Sequence, residues 1–269
     1  MVSSLSFSSA QIANIYKTSQ SALSDSLIKL SSGKNYLQPK DGVAEYFIID
    51  SLNRDRRGYE DVRRNLAQSV SMVSTAEDLG MQLVESFKQL KILTSDWWEA
   101  EAGSSDRDHI ENEFNAVVSS MQTMMDSAVF NGKDLMQAGT LTSIILNPND
   151  ISQTFDITFA NGDIVDTTGL AVGAGADYQA TIDVIDAESN KALSYLSKTS
   201  GYLNSLYAQM NVTDSMIENQ SAVESSINDI NDAAEIKEMI TQEIRQQASV
   251  AMMAQASMIQ MSVLKLVNF

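Results

Sequence analysis

Apolar positions recur along this chain at alternating steps of three and four, the spacing that turns one helix face toward a partner. The longest run passes through Leu52, Tyr59, Leu66, Val73, Gly80, Phe87 and Thr94. Its companion series, three residues on, is Asp55, Val62, Ser69, Ala76, Leu83, Leu90 and Trp97. Glu99 to Ser105 reads as a break. A second run then follows with Ile110, Phe114, Val117, Met121, Met124 and Ala128. It gives out at Phe130-Asn131-Gly132-Lys133, where Asn-Gly supplies the positive φ of a tight turn. Beyond residue 180 the spacing resumes through Ile182, Ile185, Ala192, Leu196, Leu203, Leu206, Met210, Ile217 and Ile227. The N-terminal arm carries a weaker stripe of Ile12, Tyr16, Leu23, Leu27 and Leu30.

The middle is different in kind. Five of the twelve glycines fall in residues 138–180, and the two prolines, Pro39 and Pro148, both sit outside the helical runs. Thr154 to Phe159 alternates polar and apolar, and the pattern predicts a hairpin that turns at Asn161-Gly162 into Ile164-Val165. The fold class expected is mainly α. It is an elongated antiparallel helical bundle or coiled coil formed by both halves of the chain, with a small central insert that contains a β-hairpin. The insert is expected at one tip of the bundle and the two chain ends at the other. The seam of the rod is expected to hold Leu52, Tyr59, Leu66, Val73, Leu83, Phe87, Leu90, Phe114, Met121, Leu196, Leu203, Leu206 and Ile217.

The tail adds a second theme. Ala248 to Met261 carries no charge and has small or apolar side chains on every face, and a helix of that kind has to be covered. Gln255, Gln260 and Lys265 interrupt it short of the roughly 18 apolar residues a membrane span needs. Net charge is −17 over the 269 residues, which argues against nucleic acid and anionic membranes as partners. The charge is also unevenly placed. Residues 1–40 carry +3 and residues 236–269 carry +1, which leaves −21 on residues 41–235. Both ends suit burial, and the middle suits water. The five methionines of the tail, Met239, Met252, Met253, Met258 and Met261, fit either a core filler or an interface that repacks between geometries.

Candidate chemistry is sparse. There is no cysteine, hence no disulfide or thiol chemistry. The lone His109 has no second histidine four residues away and is expected to be a solvated helix residue. No Gly-x-Ser-x-Gly elbow or glycine-rich phosphate loop occurs. Asp150, Asp156, Asp163 and Asp166 miss the calcium-loop spacing. Trp97-Trp98 reads as a cap on the bundle or, alternatively, a ligand stack. No catalytic residue, cofactor site or metal site is expected, and the chain is not expected to be an enzyme. The serine-rich start lacks a basic region followed by an apolar one, so no cleaved signal peptide is expected.

Several segments resemble bacterial flagellins. Leu30-Ser31-Ser32-Gly33-Lys34, followed by Pro39-Lys40-Asp41-Gly42-Val43-Ala44, resembles the Leu-Ser-Ser-Gly…Asp-Asp-Ala-Ala run near their start. Ser74-Thr75-Ala76-Glu77 and Phe130-Asn131-Gly132-Lys133-Asp134-Leu135 match two further landmarks. Ile227 to Glu235 is similar to the family's Ile-x-Asp-x-Asp-x-Ala-Glu, and Gln247 to Leu266 to its closing segment. The likeness covers about residues 1–137 and 180–269.

The resemblance implies a subunit of the extracellular flagellar filament, a helical homopolymer used for motility. It implies type III export without a cleaved signal peptide. An export chaperone, a cap and hook-associated proteins would be its partners. It divides the chain into inner-tube terminal helices (1–44 plus 236–269), a helical rod (45–137 plus 181–235) and a small variable outer insert (138–180). Inner-tube polymerisation would fall to Leu5, Ile12, Tyr16, Leu23, Leu27, Ala251, Met252, Met258, Leu264 and Leu266. Two departures stand out. Glu45-Tyr46-Phe47-Ile48 replaces the family's Gly-Leu-Ala-Ile, putting bulk where a hinge is expected. Lys88-Gln89-Leu90-Lys91-Ile92-Leu93 replaces the Gln-Arg-Ile-Arg-Glu-Leu stretch contacted by toll-like receptor 5, so weak recognition by that receptor is expected. The alternatives are a hook–filament junction protein of the same superfamily and a coiled-coil adhesin or adaptor.

Overall fold

The computed structural model describes residues 2–173 and 176–267, with the side chains of 2–9, 260 and 263–267 outside the description. Five long helices dominate: α1 (Val2–Ser32), α2 (Val43–Glu99), α3 (Ser105–Ser127), α4 (Tyr178–Asn228) and α5 (Asp232–Val267). Between α3 and α4 lie two antiparallel hairpins, β1 (Val129–Phe130) with β2 (Lys133–Asp134), and β3 (Gly139–Asn147) with β4 (Asp150–Phe159). The chain forms two compact units, a terminal one of residues 1–54 with 220–269 and a central one of residues 55–219.

In the central unit the heptad pattern becomes a packed core. Leu66, Val73, Leu83, Phe87 and Leu90 of α2 are buried with Phe114 and Met121 of α3 and Leu203 and Leu206 of α4. Tyr59, Leu196 and Ile217 of the expected seam are half-buried. Polar ties fix the register of α2 against α4. Arg63 pairs with Asp214 at 2.5 Å, Ser200 Oγ donates to Glu77 at 2.5 Å, and Lys91 pairs with Asp186 at 2.5 Å. The ties recur every two heptads on both helices and run in opposite order, so α2 and α4 are antiparallel over about 40 Å. In the α2 heptad that begins at Leu52, Arg63, Glu77 and Lys91 occupy flanking positions, where interhelical charges select register.

The expected break falls where α2 ends and α3 starts. The Ser104 hydroxyl accepts the Arg107 N–H at 3.4 Å, and Asp106 and Asp108 suit the positive helix start. The Arg107 guanidinium lies 4.3 Å from the Trp97 ring centre, and Trp98 meets Trp97 edge-on at 4.6 Å. The tryptophan pair therefore caps the helix turn, with Trp97 buried. His109 is exposed on the same helix start.

The hairpin differs from the expectation. Asn131 and Gly132 turn β1 into β2 with φ of 49° and 77°, as the Asn-Gly signal requires. Thr154 to Phe159 is strand, but it pairs backward with β3, placing Thr142 opposite Ile157 and Ile144 opposite Phe155. The loop is Pro148-Asn149. Proline pre-sets φ there, and the Asn149 N–H donates to Asn147 Oδ1 at 2.9 Å. Asn161-Gly162 instead forms one 3₁₀ turn over Asn161–Asp163, and Ile164-Val165 is not a strand. The insert also does not project from a tip. Its apolar face (Leu141, Ile144, Ile157 and Phe159) is buried in the helical core. Phe159 stacks on Tyr195 at 4.6 Å, and the tip reaches back to α2, where Asn149 Nδ2 donates to Asp55 at 3.0 Å. Gly58 permits this approach, since a Cβ there would stand 2.5 Å from the Pro148 Cβ. A two-stranded hairpin is marginal by itself, so packing its apolar face decides its place.

Candidate functional site

The terminal unit holds the features that the tail sequence singled out. α1 and α5 pair so closely that their Cα atoms come within 8 Å along the contact, whereas α2, α3 and α4 seldom come so near. Side-chain size explains the difference. The α1 seam reads Ile12, Tyr16, Ser19, Leu23, Ser26 and Leu30, and the α5 seam Met239, Gln242, Gln246, Ser249, Met253 and Ala256. Each follows the three-four spacing. The fully buried members are the small or polar ones, Ser19, Ser26, Gln242 and Ser249. Their polarity costs little where it is satisfied within the helix. Ser249 Oγ donates to the Arg245 carbonyl at 2.7 Å, and Gln242 Nε2 donates to Glu238 at 2.6 Å.

The expected polymerisation residues divide along this seam. Ile12, Tyr16 and Leu23 lie half-buried on it. Leu27 is 51% exposed, and Ala251, Met252 and Met258 are exposed as well. Leu5, Leu264 and Leu266 fall outside the described side chains. On α5 the face opposite the seam carries Ile236, Ile240, Ile244, Ala251 and Met258, all exposed, with Ile244 and Met258 at 61%. Pairing with α1 thus covers one side of α5 and leaves an apolar stripe on the other. The serine-glutamine seam escaped the apolar count because its members are not apolar. Small residues at heptad spacing were the available signal. Leu52, expected in the rod seam, is half-buried in this unit, and Phe47 and Ile48 present their bulk outward, Phe47 at 59% exposure.

A clasp joins the α1–α2 loop to the α4–α5 junction. Gly33 leaves α1 at φ 70° and its carbonyl accepts the Ile230 N–H at 3.2 Å. The Asn228 carbonyl accepts the Asn35 N–H at 2.6 Å, and the buried Asn228 side chain accepts the Tyr36 N–H at 3.0 Å. Lys34 pairs with Asp229 at 2.7 Å. Hydrogen bonds from Lys34 and Ser225 hold the Asp229 carboxyl below its ordinary range.

In the central unit the buried Asp163 anchors the insert. It accepts Lys198 Nζ at 2.5 Å, Ser194 Oγ at 2.7 Å and the Ala160 N–H at 2.7 Å. Burial pushes its carboxyl up, but these three bonds together hold it low. The Tyr195 hydroxyl donates to the Leu135 carbonyl at 2.8 Å, and burial, with the Asp134 charge, pushes its pKa up. These groups hold the fold together and offer no open reactive atom. Among the described residues no cluster of three or more His, Asp or Glu could hold a metal, and no helix is long and apolar enough to cross a membrane.

Long paired helices, a small-residue seam and an uncovered apolar stripe define an assembling structural protein of the helical-bundle class. Residues 2–140 match the family model described as the bacterial flagellin N-terminal helical region. The chain belongs to the flagellin family. It is 27% identical over 260 residues to a flagellin of Halalkalibacterium halodurans, covering 89% of this chain and 90% of that protein. It is 25% identical to a flagellin of Bacillus subtilis, covering 95% and 96%. The flagellar filament 30.7 kDa core protein of Treponema maltophilum is 23% identical, over 89% and 90%. Among solved structures, a chain from Vibrio parahaemolyticus assigned as a flagellar hook-associated protein superposes with a TM-score of 0.58 at 16% identity. It covers 70% of this chain and all of that one, a likeness of fold. The family is structural.

Proposed function

We propose that this chain is a structural subunit that polymerises into the extracellular flagellar filament used for motility. The observation that carries the reading is the exposed stripe of Ile236, Ile240, Ile244 and Met258 on α5. An apolar face of that length is not left to water in the working state of a protein, and copies of the same chain are the cover that a polymer supplies. Contact between different faces of identical subunits gives an open helical assembly. In this reading residues 1–44 with 236–269 form the inner tube, 45–137 with 181–235 the surrounding rod, and 138–180 the outer insert. Ile12, Tyr16 and Leu23 serve the α1–α5 pairing, while Leu27, Ala251, Met252 and Met258 meet neighbouring copies.

The test is seeded growth of purified protein on filament fragments, followed by electron microscopy. Long filaments are expected. Protein that binds hook ends as a single ring without elongating would overturn this reading in favour of the junction protein. Export without a cleaved signal peptide and docking to an export chaperone, cap and hook-associated proteins belong to the same proposal by family resemblance. So does weak recognition by toll-like receptor 5, since Gln89 and Ile92 stand where the receptor-contacting pattern has arginine and glutamate. A reporter-cell response equal to that of an enteric flagellin would refute that last expectation.

A further inference from the structure

Arg245 is the unusual charge of the tail. It lines an open groove between α1 and α5 of about 550 Å³, together with Gln11, Asn14, Thr18 and Gln242. Every polar neighbour in that groove is uncharged, and no carboxylate pairs with the guanidinium among the described residues. A guanidinium in water needs no partner, but one enclosed unpaired in an interface costs several kcal/mol. Resting on the filament reading, the groove closes when neighbouring copies cover the terminal helices.

We propose that the Arg245 guanidinium receives the Glu243 carboxylate of a second copy of this chain when subunits assemble. The groove suits a carboxylate, because Gln11 and Asn14 bring amide donors to the same place, while the Thr18 hydroxyl donates to the Asn14 carbonyl at 2.9 Å, and a guanidinium fork grips a carboxylate through two parallel bonds. The carboxylates of α1 and α5 leave one obvious donor of charge. Asp25 is paired with Lys40, and Glu238 is bonded to Gln242. Asp232 and Glu235 sit in the first turn of α5, where the helix start favours them. Glu243 is exposed and, among the described residues, is touched only by Gln247 Nε2 at 3.3 Å. Glu243 and Arg245 lie on opposite sides of α5 at nearly the same height, so copies set side by side, each turning one face of the helix to the next, bring the two together.

The experiment measures the critical concentration for seeded growth of the full chain and its R245A, R245E and E243R/R245E variants, at low and high salt. Circular dichroism of each monomer checks that folding is intact. Loss of one partner of a desolvated charge pair should raise the critical concentration about 30-fold in R245A. R245E should not grow, and the double reversal should restore growth. The proposal falls if R245A or R245E grows like the parent, or if the double reversal fails to rescue R245E. Failure of the parent to grow would count against the filament reading instead, and the two outcomes are distinct.

Discussion

Replacing Asp163 tests whether the insert is an integral part of the central unit. The side chain is 4% exposed and accepts three hydrogen bonds, from Lys198, Ser194 and the Ala160 N–H. Asp163→Ala removes all three. The Lys198 side chain is 42% exposed and turns readily to water, so its ion pair is discounted to the surface range of about 1 kcal/mol or less. The other two bonds contribute about 1 kcal/mol each, giving an expected loss of about 2–3 kcal/mol. Asp163→Asn keeps an acceptor and loses the charge, so about half that loss is expected. Both tryptophans, Trp97 and Trp98, lie in the central unit, so fluorescence during urea unfolding reads that unit alone. With a slope of about 2 kcal/mol per molar urea, the midpoint of the alanine variant should fall by about 1 M. The folded carboxyl is held below its unfolded value. Its contribution is therefore full above the unfolded pKa near 4 and lost as pH falls through the folded one. The gap between Asp and Asn should narrow below pH 4. An unchanged midpoint at pH 7, or a gap that widens in acid, would refute the anchoring role.

Two further predictions concern helix contacts. Gly58→Ala gains up to about 1 kcal/mol of helix propensity, yet places a Cβ at 2.5 Å from the Pro148 Cβ, an overpacking that costs about 1–3 kcal/mol. It should lower stability, while Gly201→Ala, with nothing within 4 Å, should raise it; urea midpoints moving in the same direction would contradict the assigned contact. Asn228→Ala strands the Tyr36 N–H and should weaken the clasp by about 1–3 kcal/mol. In assembled protein, hydrogen exchange over residues 33–37 should speed about tenfold or more, and unchanged exchange would show that Asn228 does not hold the loop.

The helices were legible because large apolar residues at regular spacing leave few alternatives. Leu66, Val73, Leu83, Phe87 and Leu90 are buried, and the α2–α3 break falls at the capping Ser104. The hairpin was half legible. Thr154 to Phe159 alternates clearly, but its partner Gly139–Asn147 holds a run of Leu141, Ile144, Ile145 and Leu146 that does not alternate. Two loop signals competed for one strand, Asn-Gly after it and Pro-Asn before it. The choice was made by distant groups, Gly58 leaving room for Pro148 and Lys198 holding Asp163, which no local pattern announces. The central unit's antiparallel register was present in the sequence as Arg63, Glu77 and Lys91 against Asp214, Ser200 and Asp186, but such ties are visible only once the helices are known to pair.

The terminal helices obey the same three-four spacing with the sizes inverted, and that inversion explains the tail. Where a seam is built from leucine and phenylalanine, as in the central unit, the seam residues themselves, among them Leu66, Leu83, Phe87 and Leu90, are fully buried. Where its fully buried members are Ser19, Ser26, Gln242 and Ser249, the backbones close up and the larger seam residues, such as Ile12, Tyr16, Leu23 and Met253, are only half-covered. On α5 further large apolar residues stand opposite the seam, as Ile236, Ile240, Ile244 and Met258. A serine seam gains little by itself from apolar burial, since little apolar surface leaves water. The same helices therefore bury little apolar surface where they pair and leave large apolar residues of α5 exposed. A helix apolar on all faces is thus no excess of hydrophobicity. It has one face for a partner within the chain, and the faces left exposed are those that the proposed filament contacts would cover.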